Sequence, residues 1–231
     1  NGLVKTKYIT FGVKEKSLKE AKPKLERIEA DILGNFKIMG VLAQPMNGAE
    51  RLAVLHRSFN PDGREKFRFS WDLLPKSGLS VKDFIAPSSF DFSKGNSFRM
   101  SGKYGAVSFI NIMASEMSDR MLADFLNIEH NITLSIHIQS IDQNKAVKMV
   151  KSKITDLDKM KMEEQKKAFR NGYDIDIMPS DINTFGKEAK SLLNDLQSRN
   201  ERLFMATILI MNTADTKRKL DNIIFQEQGI A

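Results

Sequence analysis

Three histidines, a scatter of carboxylates and a lysine-rich stretch are the side chains of this 231-residue sequence that could do chemistry. Histidine can ligate a metal or move a proton near neutral pH, but either task needs a second group at a fixed spacing. His56, His130 and His137 include no pair four apart, and H-E-x-x-H does not occur. His130 and His137 have opposite parity on one predicted strand, so they face opposite sides of a sheet and make poor co-ligands. Asp156, Asp158, Glu163 and Glu164 each have a lysine three or four residues away, the spacing of ion pairs on a helix surface. Acid–base catalysis needs carboxylates whose environments push their pKa values apart, and the sequence marks no pocket that would do so. No G-x-S-x-G is present.

Phosphate binding by a backbone cradle needs two glycines five apart followed by Lys and Ser or Thr. No glycine pair meets that condition, and the dinucleotide pattern G-x-G-x-x-G is missing. The run Lys103-Tyr104-Gly105-Ala106-Val107-Ser108-Phe109 shares part of the RNA-recognition signature. It lacks the first glycine and has Ala106 where an aromatic ring should stack. These absences predict a chain with no catalytic, cofactor-binding or metal-binding residues of its own. What remains is a basic surface on one long predicted helix, made of Lys145, Lys148, Lys151, Lys159, Lys161, Lys166, Lys167 and Arg170. Met160 and Met162 beside it have the adaptable side chains common on protein-binding surfaces.

Composition narrows the classes further. The net charge is +7, which suits nucleic acid, an anionic membrane surface or an acidic protein. Because 29 acids are interspersed with 36 bases, an ordinary solvated surface also accounts for it. With no cysteine, disulfides and thiolate chemistry are excluded, which fits a reducing cytosol. No run approaches the ~18 apolar residues of a membrane span, and no signal peptide opens the chain. The ends, Asn1-Gly2 and Gly229-Ile230-Ala231, look like cuts in a longer protein.

Periodicity predicts the elements that carry these side chains. Residues 4–12 alternate as a strand. A helix from Ser17 carries Leu18, Leu25, Ile28 and Ile32, weakened by Pro23 and stopped at Gly34-Asn35. Phe36–Leu42 reads as a strand and Ala49–Phe59 as a helix, giving a small βαβα unit over 1–59. Residues 60–96 form an irregular connector whose Phe67, Phe69, Trp71 and Phe84 can pack on a neighbour. The ββαβ-αα-βα unit over 97–231 begins with a hairpin of Phe98–Ser101 and Tyr104–Met113. It continues with a helix over 118–126 and a half-buried strand over Asn131–Ile141, with Ile132, Leu134, Ile136 and Ile138 on one face. A helical hairpin over 142–199 follows, its first helix ending at Asn171-Gly172 and its second starting at Pro179. Leu203–Met211 is apolar on both faces, as a strand covered on both sides would be. Thr213 or Asp215 caps a last helix bearing Leu220, Ile223 and Ile224. The fold class is α+β, with antiparallel or mixed sheets, helices on their faces and a long helical hairpin.

Several segments of this layout carry a family resemblance. They are Leu134-Ser135-Ile136-His137-Ile138, Lys145-Ala146, Glu164-Gln165-Lys166-Lys167-Ala168, Asn171-Gly172-Tyr173-Asp174 and Ile177-Met178-Pro179. Leu192–Asn200 and Glu201-Arg202-Leu203-Phe204 follow, and Lys82-Asp83-Phe84-Ile85-Ala86-Pro87 lies upstream. Together they resemble the N-terminal domain of the large ATPase of conjugative type IV secretion systems, the CagE/TrbE/VirB class. The resemblance covers most of residues 5–231 and includes no catalytic motif. It implies a cytoplasmic protein, peripheral at the inner face of the bacterial membrane, whose ATP and magnesium site lies in a C-terminal motor domain beyond this chain. The implied role is non-catalytic docking and assembly. The implied partners are the inner-membrane channel subunits, the motor domain and neighbouring copies, hexameric in the parent. The alternative is a basic module that handles transferred DNA.

Overall fold

The computed structural model describes residues 5–111, 119–171, 180–199 and 201–230. Among these the chain forms α1 (Leu18–Ile38), α2 (Gly48–Phe59), α3 (Leu74–Ser77), β1 (Phe90–Lys94), β2 (Ser97–Met100) and β3 (Lys103–Phe109). It continues with α4 (Asp119–Leu126), β4 (Ile132–Ser140), α5 (Gln143–Asn171), α6 (Ser180–Ser198), β5 (Phe204–Ala214) and α7 (Lys217–Gln228). The five strands form one sheet in the order β1-β2-β3-β5-β4, so the fold is α+β. β1–β2 and β2–β3 are antiparallel.

The N-terminal region departs from the βαβα reading. Residues 5–15 form no strand, and Tyr8 and Ile9 are exposed. Alternation makes a strand only where a partner supplies the ladder. α1 starts as expected, with the Ser17 hydroxyl accepting from the Glu20 amide, but runs through Gly34-Asn35. It stops at Gly40, which has a left-handed φ of 71°. The Gly40 amide donates to the Lys37 carbonyl and the Val41 amide to that of Phe36, a Schellman closure. Phe36–Ile38 is therefore the last turn of a helix, and no strand spans 36–42.

α2 begins with a capping box. Asn47 accepts from the Glu50 amide at 3.0 Å, and Glu50 accepts from the Asn47 amide at 2.8 Å. Substituting Asn47→Ala removes half of this exchange and is expected to cost about 1 kcal/mol in urea unfolding. The connector packs on α2, as its aromatic residues suggested. The His56 and Phe67 rings are 5.3 Å apart, and Phe69 meets Trp71 and Phe84 edge-on at 4.9 and 5.2 Å. Buried Asn60 ties the region together: its amide donates to the His56 carbonyl at 3.2 Å, and the Ser101 hydroxyl lies 2.9 Å from its Oδ1. The chain divides into two compact units, Asn1–Thr133 with Ile210–Ala231, and Leu134–Leu209.

The connector also hides β1, whose Phe90 and Phe92 alternate with Asp91 and Ser93. The turn between β2 and β3 is Ser101-Gly102, one residue earlier than expected. Its φ values of 45° and 76° are those of a two-residue type I′ hairpin. In the first unit the core is Ala106 on β3, Ala214 on β5, and Leu220 and Ile223 on α7. α7 is capped by Thr216, whose hydroxyl accepts from the Lys219 amide, so neither Thr213 nor Asp215 serves. Asp215 pairs with Lys103, whose ammonium donates to it and holds its carboxyl below the usual range.

β5 is not covered on both sides. From Ile208 to Ala214 it buries alternate residues, while Phe204–Thr207 are exposed. β4 half-buries Ile132 and Leu134 but leaves Ile136 and Ile138 exposed. The ends expected at Met113, Ser118, Gly172 and Pro179 lie outside the described residues.

Candidate functional site

The second unit is dominated by the α5–α6 hairpin. Asp142 starts α5 by accepting from the Lys145 amide at 3.1 Å. At the base of the hairpin the Gln143 amide donates to the Leu196 carbonyl at 2.6 Å and to that of Glu201 at 3.2 Å. The Ile141 amide donates to the Leu203 carbonyl at 3.0 Å. Buried Ala146, Val150 and Leu196 form the core here, with Val147, Ile154 and Leu193 packed around them. Alanine at 146 lets the two helices approach closely, and the i, i+4 spacing of 146, 150 and 154 holds one face of α5 against α6.

The basic side chains occupy the other face. At about 100° per residue, Lys145, Lys148, Lys159, Lys166 and Arg170 fall opposite the core residues and form a row about 38 Å long. All five are exposed. Lys151 and Lys167 lie on the two flanks. Lys161 falls on the core side and is half-buried, so it does not belong to the row. Asp156 and Glu163 interrupt the row without balancing its charge. Lys167 donates to Glu164 at 2.6 Å, which raises the lysine pKa. Lys190 of α6 reaches Asp158 at 3.9 Å.

Past the core, the hairpin leaves its apolar side chains open. Met160, Met162, Phe169 and Phe185 are each half or more exposed, Phe169 at 79%. Met162, Gln165, Lys166, Phe169 and Arg170 line a shallow groove of about 300 Å³. Residues 162, 166 and 169 share one side of α5, so the groove combines a sulfur, a ring and the stems of two basic side chains. Such a surface suits an amphipathic, acidic partner.

The histidines are dispersed. His56 is buried in α2 against Phe67, and His137 is exposed on β4. His130 precedes β4 and lies 3.3 Å from Gln226 Oε1. Among the described residues no cluster of three or more acids and histidines is placed to hold a metal ion. No described helix is long and apolar enough to cross a membrane.

Sequence reasoning missed one polar pair. Asn212 and Glu227 are buried together, with the Asn212 amide donating to Glu227 Oε2 at 2.7 Å. Asn212 Oδ1 and Glu227 Oε1 have no partner. Burial raises the Glu227 pKa, opposed by the Asn212 bond and by His130. The available signal was an asparagine ending the apolar run Ile208–Met211 and a glutamate seven residues after Leu220, on the buried stripe of α7.

In comparisons with known proteins, no family model and no curated protein matches this chain.

Proposed function

We propose that this chain is a docking and assembly module, the non-catalytic N-terminal part of a bacterial conjugation ATPase. In this role it attaches the motor to inner-membrane channel subunits and to neighbouring copies from the cytoplasmic side. The observation that carries the proposal is the α5–α6 hairpin, packed at its base while Met160, Met162, Phe169 and Phe185 stay exposed beside a basic row. Exposed apolar side chains ringed by charge are the composition of a protein-binding surface, and methionine and arginine are enriched at such interfaces. The sequence resemblance supplies the type of machine. Detergent-solubilised channel subunits are expected to be retained by the immobilised chain. If neither this chain nor the longer protein retains them, docking is excluded.

The length of the basic row favours a second reading, DNA handling. Each phosphate neutralised on duplex DNA would steepen the fall of affinity with salt by roughly 0.9 log units per log unit. Under the docking proposal, titration with single- and double-stranded DNA at ~50 and ~200 mM salt shows no tight binding at the lower salt. Tight binding there that collapses at the higher salt would move the hairpin's role to DNA.

A further inference from the structure

We infer that α1 is a self-association helix, through which two copies of this chain pair in antiparallel orientation. This pairing goes beyond the hairpin's docking role and holds whichever partner the hairpin takes.

α1 has 21 residues and buries none of them. Its apolar side chains are ordered all the same: Leu18, Ala21, Leu25, Ile28 and Ile32 recur at alternating steps of three and four, the a and d positions of a coiled-coil seam. Ala21, Leu25, Ile28 and Ile32 are half-buried in the single chain and Leu18 is 81% exposed. Pro23 falls at the outermost position of the same frame, so its ring lies away from the seam.

The flanking charges say what covers the seam. Lys22 and Glu29 occupy e positions, and Lys24 and Asp31 occupy g positions. In an antiparallel pair e meets e and g meets g. With Leu25 set against Ile28 of the second copy, Lys22 falls beside its Glu29 and Lys24 beside its Asp31. The two-fold axis repeats both, giving four complementary contacts. The same register sets Ala21 against Ile32, small against large, as a filled seam requires. A parallel pair keeps only the Lys24–Glu29 contact, made twice, and stacks Ala21 on Ala21, which leaves a hole. The basic first half and acidic second half of α1 thus complement a reversed copy of themselves, the isologous contact of a two-fold dimer. In the single chain Lys24 pairs with Glu15, and Lys22 sits 3.8 Å from Glu26. Glu29 and Asp31 form no ion pair among the described residues.

Sedimentation equilibrium of the whole chain is expected to show a monomer–dimer equilibrium. The variant Lys22→Glu with Lys24→Glu, which sets acid against acid, weakens it by at least about tenfold. Adding Glu29→Lys and Asp31→Lys restores it, which loss of folding could not mimic. Because the chain has no cysteine, orientation is read directly by single-cysteine variants. Leu25→Cys and Ile28→Cys, mixed, form the mixed disulfide faster than either links to itself. A chain that stays monomeric at roughly 100 µM, the weak end of specific association, overturns the pairing. So do charge variants that associate like the parent, or cysteines that each prefer their own kind.

Discussion

Replacing Leu220 by alanine is expected to destabilise the unit that contains α7 by about 2–5 kcal/mol. Leu220 is fully buried and packs with Ala106, Ala214 and Ile223, so truncation leaves a cavity that two strands and a helix cannot easily fill. Two of those neighbours are alanines, with no longer side chain to swing into the space. Urea unfolding followed by circular dichroism reads the loss. Leu192→Ala on α6, where the side chain is 38% exposed, is the control and should stay within roughly 1 kcal/mol of the parent. Equal costs at the two positions would mean that α7 does not pack on the sheet as described.

Glu227→Gln is expected to stabilise the chain at neutral and alkaline pH by about 1–3 kcal/mol, with the gain vanishing in acid. Burial raises the pKa of this carboxyl, so the folded chain holds its proton more tightly than the unfolded chain. The stabilisation contributed by that proton is complete below the ordinary glutamate value, 4.5, and is lost as the pH rises through the folded pKa. Above that point an ionised group sits 4% exposed with one oxygen unpartnered. Glutamine cannot ionise, and its amide can donate to Asn212 Oδ1, which also lacks a partner. Unfolding free energies of parent and variant should diverge as the pH is raised from about 5 to about 8. A variant less stable than the parent across that range would show that the carboxylate is held by donors and is not strained by burial.

Periodicity showed most of the second half of the chain. β4, α5, α6 and the stripe of α7 were legible because each is long enough for a period of 2 or 3.6 to stand out. In the first 59 residues both helices are legible, but the two strands and the end of the first helix are not, for three physical reasons. Phe36–Leu42 is a short apolar run, and such runs fit the end of a helix as well as a strand. Gly34 has the residue type of a stop, yet a helix can pass through a glycine, and the stop is Gly40, where the backbone turns left-handed. The alternation at 4–12 had no partner strand, a fact about distant residues that no local pattern contains. The expected strand over Leu203–Met211 stops three residues short of the end of β5 at Ala214, so Asn212 falls outside it. Of the eight basic side chains, five share a face, and Lys151 and Lys167 flank it. Lys161 does not, because its position on the helix turns it toward the core.

The proposal is that the outer surface of the α5–α6 hairpin binds protein partners. The most direct test is capture of the inner-membrane channel subunits by the intact chain and by a variant carrying Lys159→Glu, Lys166→Glu, Arg170→Glu and Phe169→Ser. All four positions are exposed, so the fold should survive, as circular dichroism would verify. Retention by the parent, with the variant weaker by tenfold or more on the scale of ~1.4 kcal/mol per decade, is the predicted result. Equal retention by the two would contradict it.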